Sequence, residues 1–265
     1  MRFHDYLRRI NQPSPDGPDV ATLRRLHLAH REAFLFENLS IQTGGAISVA
    51  LDDIERKFLD EHRGGYCFEH NTLFAAVLHE AGFHSTSLLG RVRRGPPERW
   101  ARTHMVLRVP IANDADDVWL ADVGFGGTGL LEPIPLRDGA LSEQGGIVYR
   151  LRRDAHVWIL SMRDAANVET DLYEFSEDPQ TAGDIEVANH FTSTHPESIF
   201  RKTLTIQRTG RDERTILRSD TLMRYRQGRL AESHVARDCL SAIVRDEFAI
   251  DLPNGPFVFE SRTVR

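Results

Sequence analysis

The sequence predicts an α+β protein: an N-terminal helical bundle, a central antiparallel β-barrel and a C-terminal α/β lid. Three observations carry this. Up to Gly82 the apolar residues recur at helical spacing. Beyond it they gather in short Val-, Leu- and Ile-rich runs separated by Gly, Pro and Asp. Near the end, a hairpin pattern leads into an amphipathic helix. The expected divisions are 1–85 for the bundle, 86–185 for the barrel, 186–204 for an interdomain connection and 205–265 for the lid.

Phe3 to Ile10 reads as a short helix, ended by the breakers Pro13, Pro15, Gly17 and Pro18. Asp19 is placed to cap a second helix, in which Val20, Leu23, Leu26 and His30 fall near one face. Leu35 to Leu39 and a Gly44-Gly45 turn lead to a helix over Leu51 to Leu59. Next comes His62-Arg63-Gly64-Gly65-Tyr66-Cys67-Phe68-Glu69-His70-Asn71, a tight glycine turn opening a helix that ends at Gly82. Strands are expected over Ser85–Arg93, Met105–Val109, Val118–Val123, Ile147–Arg152, Val157–Leu160 and Leu172–Phe175. Glu186 to Phe200 is a partly helical bridge. Thr203–Arg208 and Thr215–Arg218 form a hairpin, Leu222–Tyr225 and Arg229–Ser233 two more strands, and Arg237–Phe248 the last helix.

Composition excludes several classes. The 265 residues are 40% hydrophobic, enough for a substantial core, and the net charge of −6 argues against a nucleic-acid partner. Cys67 and Cys239, the two cysteines, build no disulfide framework and suit a reducing compartment. Met1 to Leu7 lacks the apolar core of a signal peptide, and no apolar run approaches the ~20 residues of a membrane helix. The expectation is a soluble cytoplasmic protein with no membrane partner. Monomer and homodimer both remain open.

Cys67 at a helix start faces unpaired backbone N–H groups and the positive end of the helix dipole, the setting of a reactive cysteine. A thiol nucleophile needs a base, and the base an orienting group. His104 stands at the mouth of one strand, and Asp122 ends another just before a glycine loop. Two strands ending at one rim would place them side by side, with the Cys67 helix docked above. This is the logic of papain-like and transglutaminase-like thiol enzymes. Each residue alone has a plainer reading: Cys67 as inert core, His104 as structural, Asp122 as an acceptor for its own turn. Their contexts together favour the triad.

Other patterns in the sequence compete with this one. Cys67 and His70, with His62, His79 and His84 near, lack the second close pair of a zinc site, so no metal is expected. Gly124-Phe125-Gly126-Gly127-Thr128-Gly129 matches a dinucleotide fingerprint but runs into Leu130 to Pro135, which cannot open a helix. It is either a plain turn or an anion-binding nest. Arg91 to Arg102 carries five arginines, either a solvated loop or a basic rim for an anionic cosubstrate.

The motifs Arg63-Gly64-Gly65-Tyr66-Cys67, Thr103-His104-Met105-Val106-Leu107 and Asp122-Val123-Gly124-Phe125-Gly126 together resemble the arylamine N-acetyltransferases. Phe36-Glu37-Asn38-Leu39 and the run Asn189 to Pro196, with Ser198-Ile199-Phe200 after it, extend the match in family order. The resemblance implies the bundle, barrel and lid fold and a Cys67-His104-Asp122 triad. It implies ping-pong transfer of acetyl from acetyl-CoA, through an acetyl-cysteine, to an arylamine or arylhydrazine. It further implies that Glu37 and Arg63 pair beneath the site, that Phe36, Phe68, Gly124 and Phe125 line the pocket, and that Thr103, Gly126 and Phe200 lie in the CoA cleft. Two alternatives stay open: a macrolactam-forming amide synthase of the same family, and a thiol hydrolase or transglutaminase-like enzyme.

Overall fold

In this computed structural model, which describes residues 1–111, 117–164, 167–226, 229–253 and 256–259, the first helices form where spacing and capping place them. Helices α1 (Phe3–Arg9) and α2 (Val20–Ala33) bury Tyr6, Leu7, Leu23 and Leu26 in one core. The Asp19 carboxylate accepts the Thr22 N–H at 2.7 Å, capping α2. Leu35 to Leu39, which shows no periodicity, holds two short elements, β1 (Phe36–Glu37) and α3 (Leu39–Gln42). Helix α4 (Leu51–Glu55) does not run on to Leu59. It widens into a π-helical turn over Arg56–Asp60, in which Lys57 sits 2.6 Å from Glu69 and 3.6 Å from Glu37. Helix α5 (Cys67–Glu80) follows, with Leu73, Phe74, Val77 and Leu78 fully buried.

The barrel is eight antiparallel strands: β2 (Thr86–Val92), β3 (Arg102–Pro110), β4 (Val118–Ala121), β5 (Ile134–Pro135), β6 (Ala140–Gln144), β7 (Ile147–Asp154), β8 (Val157–Arg163) and β9 (Glu169–Phe175). Their spatial order is β5-β4-β3-β2-β9-β8-β7-β6. Two of them carry no sequence signal, β5 because it is two residues long and β6 because three of its five residues are polar. Strand β3 begins at Arg102, so His104 lies within it rather than at its mouth.

Helix α6 (Ala182–Thr194) starts ahead of the expected bridge because Thr181 and Asp184 form a capping box. Then come α7 (Ile199–Lys202), β10 (Thr205–Thr209), β11 (Glu213–Arg218), β12 (Thr221–Arg226), β13 (Arg229–His234) and α8 (Leu240–Phe248). The lid sheet runs β1-β10-β11-β12-β13, so its edge strand comes from the N-terminal segment, with Phe36 opposite Gln207. Leu35 and Leu39 accordingly join the lid core with Leu204, Ile206 and Phe248. Among the described residues, no helix is long and apolar enough to cross a membrane.

Asn38 fastens this junction. Its amide donates to the carbonyls of Phe200 at 2.7 Å and Thr203 at 2.8 Å, and its oxygen accepts the Thr205 N–H at 2.8 Å. Asn38→Ala strands these buried groups and is expected to lower the unfolding free energy in urea by about 2–3 kcal/mol. An unchanged midpoint would show that the lid does not depend on this residue.

Candidate active site

Tyr66 is the N-cap of α5, and Cys67 is its first residue, 3% exposed. Glu69 completes the cap by accepting the Tyr66 N–H at 3.0 Å. The Cys67 sulfur lies 3.7 Å from the Thr103 carbonyl, which a local irregularity makes available. Gly90 pairs with His104 and Arg91 with Arg102, so Thr103 is the extra residue of a β-bulge. Bulges re-aim side chains beside functional sites, and this one sets His104 facing the start of α5.

Asp122 follows the last residue of β4 and is fully buried. Its Oδ2 is 2.8 Å from His104 Nε2, which leaves Nδ1 as the ring nitrogen open to Cys67. Its Oδ1 accepts the Gly124 N–H at 2.9 Å and the Asn71 amide at 3.1 Å. Burial works against the imidazolium, but the Asp122 charge, the hydrogen bond His104 donates to it and the nearby Cys67 side chain outweigh burial and raise His104 to about 10. Burial likewise pushes Asp122 up. The His104 charge and hydrogen bond, with those from Gly124 and Asn71, bring it down to about 2. The pair is therefore ionised across the neutral range.

The other expected residues divide. Arg63 Nη2 is 2.7 Å from Glu37 Oε1, beneath the start of α5. Phe125 lies edge-on to the His104 ring at 5.1 Å. On the other side, Phe68 and Phe200 each pack edge-on to Tyr66, at 5.5 Å and 5.3 Å, and Phe36 is 6.1 Å from Phe200. Gly124 is required by close approach: a Cβ there would stand 2.7 Å from Cys67 Cα. The glycine loop is a braced turn. The amides of Gly124, Gly127 and Gly129 donate to Asp122, Gln207 and the Gly126 carbonyl, so all three are taken within the protein and none is left for a bound anion. In the arginine run, Arg91 is bonded to the Trp100 carbonyl, and Arg93 pairs with Asp171 and Glu174. His70, the other half of the Cys67 metal pattern, has both ring nitrogens engaged, by His30 at 2.9 Å and the Leu35 carbonyl at 3.0 Å.

Four residues at the site escape the sequence. Asn71 links Asp122 to Met105 O and Val123 N, and only its position one turn beyond Cys67 hints at this. Lys57 and Glu69 read as ordinary helix polar residues. Tyr173 reads as a strand aromatic, yet its ring stands 4.8 Å from that of His104.

The sequence profile of the N-acetyltransferase family matches residues 19–257. This chain belongs to the arylamine N-acetyltransferase family. It is 37% identical to the arylamine N-acetyltransferase of Mycolicibacterium smegmatis, over 95% of this chain and 93% of that one. It is 36% identical to the arylamine N-acetyltransferase / N-hydroxyarylamine O-acetyltransferase of Salmonella typhimurium, over 87% of this chain and 81% of the relative. The structure of Mycobacterium marinum arylamine N-acetyltransferase in complex with CoA superposes with a TM-score of 0.87 at 32% identity, covering 94% of this chain and 92% of that one.

For this family member the ionised pair carries a pH signature. Asp122, depressed to about 2, stabilises the fold above the unfolded value of ~3.9, and that contribution is lost as pH falls through about 2. His104, raised to about 10, contributes fully below ~6.5 and loses its contribution as pH rises through about 10. In Asp122→Asn the raising charge is gone and burial prevails, so the imidazole is expected to titrate below ~6.5 by NMR. A His104 titration still near its original value would remove Asp122 as the cause.

Proposed function

We propose that this chain is an arylamine N-acetyltransferase working by a ping-pong route, with Cys67 as nucleophile, His104 as base and Asp122 as orienting acid. The observation that carries the reading is the buried convergence of a helix-start thiol, a histidine ring with Nδ1 turned towards it, and a carboxylate fixed on Nε2.

In the first half-reaction, His104 stands as the imidazolium with the Cys67 proton already on Nδ1, and the sulfur so freed attacks the carbonyl carbon of acetyl-CoA. The oxyanion is met by unpaired N–H groups at the start of α5, that of Cys67 among them. The C–S bond to CoA breaks, CoA sulfur takes the proton back from His104, and acetyl-Cys67 remains. In the second, an arylamine or arylhydrazine nitrogen attacks the thioester and His104 accepts its proton. Collapse breaks the C–S bond to Cys67 and releases the amide, and His104 keeps that proton, which restores the starting pair. Phe125 and Phe68 are assigned to the acceptor ring, Thr103, Gly126 and Phe200 to the CoA cleft, and the Glu37–Arg63 pair to support of the helix start. The braced carbonyl of Gly126 limits that residue to a wall of the cleft. Both cysteines are free, which suits a reducing, cytoplasmic setting.

Incubation with acetyl-CoA alone, followed by intact-mass measurement, is expected to show one acetyl group per chain, absent in Cys67→Ala. Addition of an arylamine should discharge it as the N-acetyl product. Lack of an adduct, or one that survives in Cys67→Ala, would overturn the reading.

A further inference from the structure

Two of the buried polar side chains of helix α2 reach the loop that carries Asp122, though neither has a part in the reaction above. His27 is fully buried and Arg31 is 4% exposed. They stand one turn apart, on the same side of the helix. His27 Nδ1 donates to the Leu131 carbonyl at 2.9 Å, and its Nε2 accepts the backbone N–H of Asp122 at 3.1 Å. Arg31 donates through Nη1 to the Val123 carbonyl at 3.2 Å and through Nη2 to the Gly126 carbonyl at 2.5 Å. Between them the two side chains grip both ends and the middle of one segment, Asp122 to Leu131.

That segment needs a grip. It holds Gly124, Gly126, Gly127 and Gly129, and it must deliver the Asp122 carboxylate to His104 and the Phe125 ring to its face. Glycine gives the loop its close approach to Cys67 but little stiffness of its own. We propose that His27 and Arg31 are positioning residues of the transferase reaction, His27 setting Asp122 through its backbone amide and Arg31 setting Phe125 through the carbonyls on either side of it.

The chemistry of the two partners fixes the His27 tautomer. A carbonyl only accepts and an amide N–H only donates, so Nδ1 bears the proton and Nε2 presents its lone pair. Burial holds the ring neutral, lowering it to about 4 against the hydrogen bond to Leu131. Arg31 is also held down by burial, to about 10, with the Asp122 charge opposing. Two carbonyls facing one guanidinium fork match its geometry better than they match an ammonium.

The inference rests on the proposed triad, and glutamine separates it from mere space-filling. In His27→Gln the side-chain oxygen can accept the Asp122 N–H while the amide donates to Leu131. His27→Phe fills the space and does neither. Two rates are read in each variant: acetyl-Cys67 formation from acetyl-CoA, and alkylation of Cys67 by iodoacetamide, which needs no acetyl-CoA. His27→Gln is expected to stay within about threefold of wild type in both, and His27→Phe to fall at least about tenfold, the equivalent of one hydrogen bond. Arg31→Lys is expected to raise the KM for an arylamine while acetyl-Cys67 formation changes less. Equal rates in His27→Phe and wild type, or a folded His27→Gln that loses both, would overturn the proposal. If His27→Phe does not fold, the glutamine arm alone decides. Failure of wild type to take acetyl while alkylation still follows this order would count against the transferase reading and leave the positioning intact.

Discussion

An imidazolium and a carboxylate 2.8 Å apart, both almost wholly shielded from water, set the terms for the rest of the molecule. Removing such charges from water costs several kcal/mol each, and their attraction offsets that only if the remaining lone pairs find donors. Asp122 finds them in the Gly124 amide and in Asn71. Asn71 stands on α5 one turn beyond Cys67, and its other bonds go to Met105 O and Val123 N. The residue that completes the carboxylate's shell thus belongs to the helix turn that carries the thiol. Docking of α5 and ionisation of the pair are coupled, since neither has all its hydrogen bonds without the other. Gly124 lets the two surfaces meet, because any side chain there would push α5 away.

Beneath α5 lies a second set of buried charges. Lys57 sits between Glu37 and Glu69, and Arg63 reaches Glu37 from the other side. Two cations face two carboxylates, so the cluster is neutral as a whole. Burial raises Glu69 and Lys57 draws it back only in part, while the two carboxylates together hold Lys57 above its ordinary value against the same burial. The second oxygen of each carboxylate caps a helix: Glu69 takes the Tyr66 N–H and Glu37 the Leu39 N–H at 2.6 Å. Because Glu37 lies in β1, the lid sheet and the start of α5 share one ion cluster. Lys57 reaches the cluster from the π-helical turn that stands in place of an ordinary α4 ending.

What the sequence revealed divides along the range of the interaction. Cys67 at a helix start, the apolar barrel strands and the lid hairpin depend on neighbours in the chain, and all were legible in local pattern. The acid strand end at Asp122 stood out because an acid rarely ends an apolar run. Elements fixed by distant partners were not legible. Strand β1 is two residues that pair with a segment far along the chain, while β6, though its partner β7 is next in sequence, is too polar for its pattern to mark it. His27, Arg31, Lys57 and Asn71 look like any polar residue in a helix until the fold supplies a loop carbonyl, a carboxylate or an amide opposite. The glycine run was ambiguous for the same reason, since its amides are consumed by Asp122 and by Gln207 from the lid.

The surroundings of Cys67 also bear on why a covalent acetyl group would pass to an amine rather than to water. A thioester survives in proportion to how well water is kept from it. Cys67 is almost wholly covered, with Phe125 and Tyr173 against His104 on one side and Tyr66, Phe68 and Phe200 on the other. Such walls offer water few hydrogen-bond partners, whereas a flat aromatic ring can displace it by stacking and edge contact. His104, neutral once its proton has gone to CoA, faces the sulfur through Nδ1, so an attacking nitrogen must arrive beside that atom. Exclusion of water and preference for an aromatic amine then follow from the same rings, and the loop braced by α2 holds one of them in place.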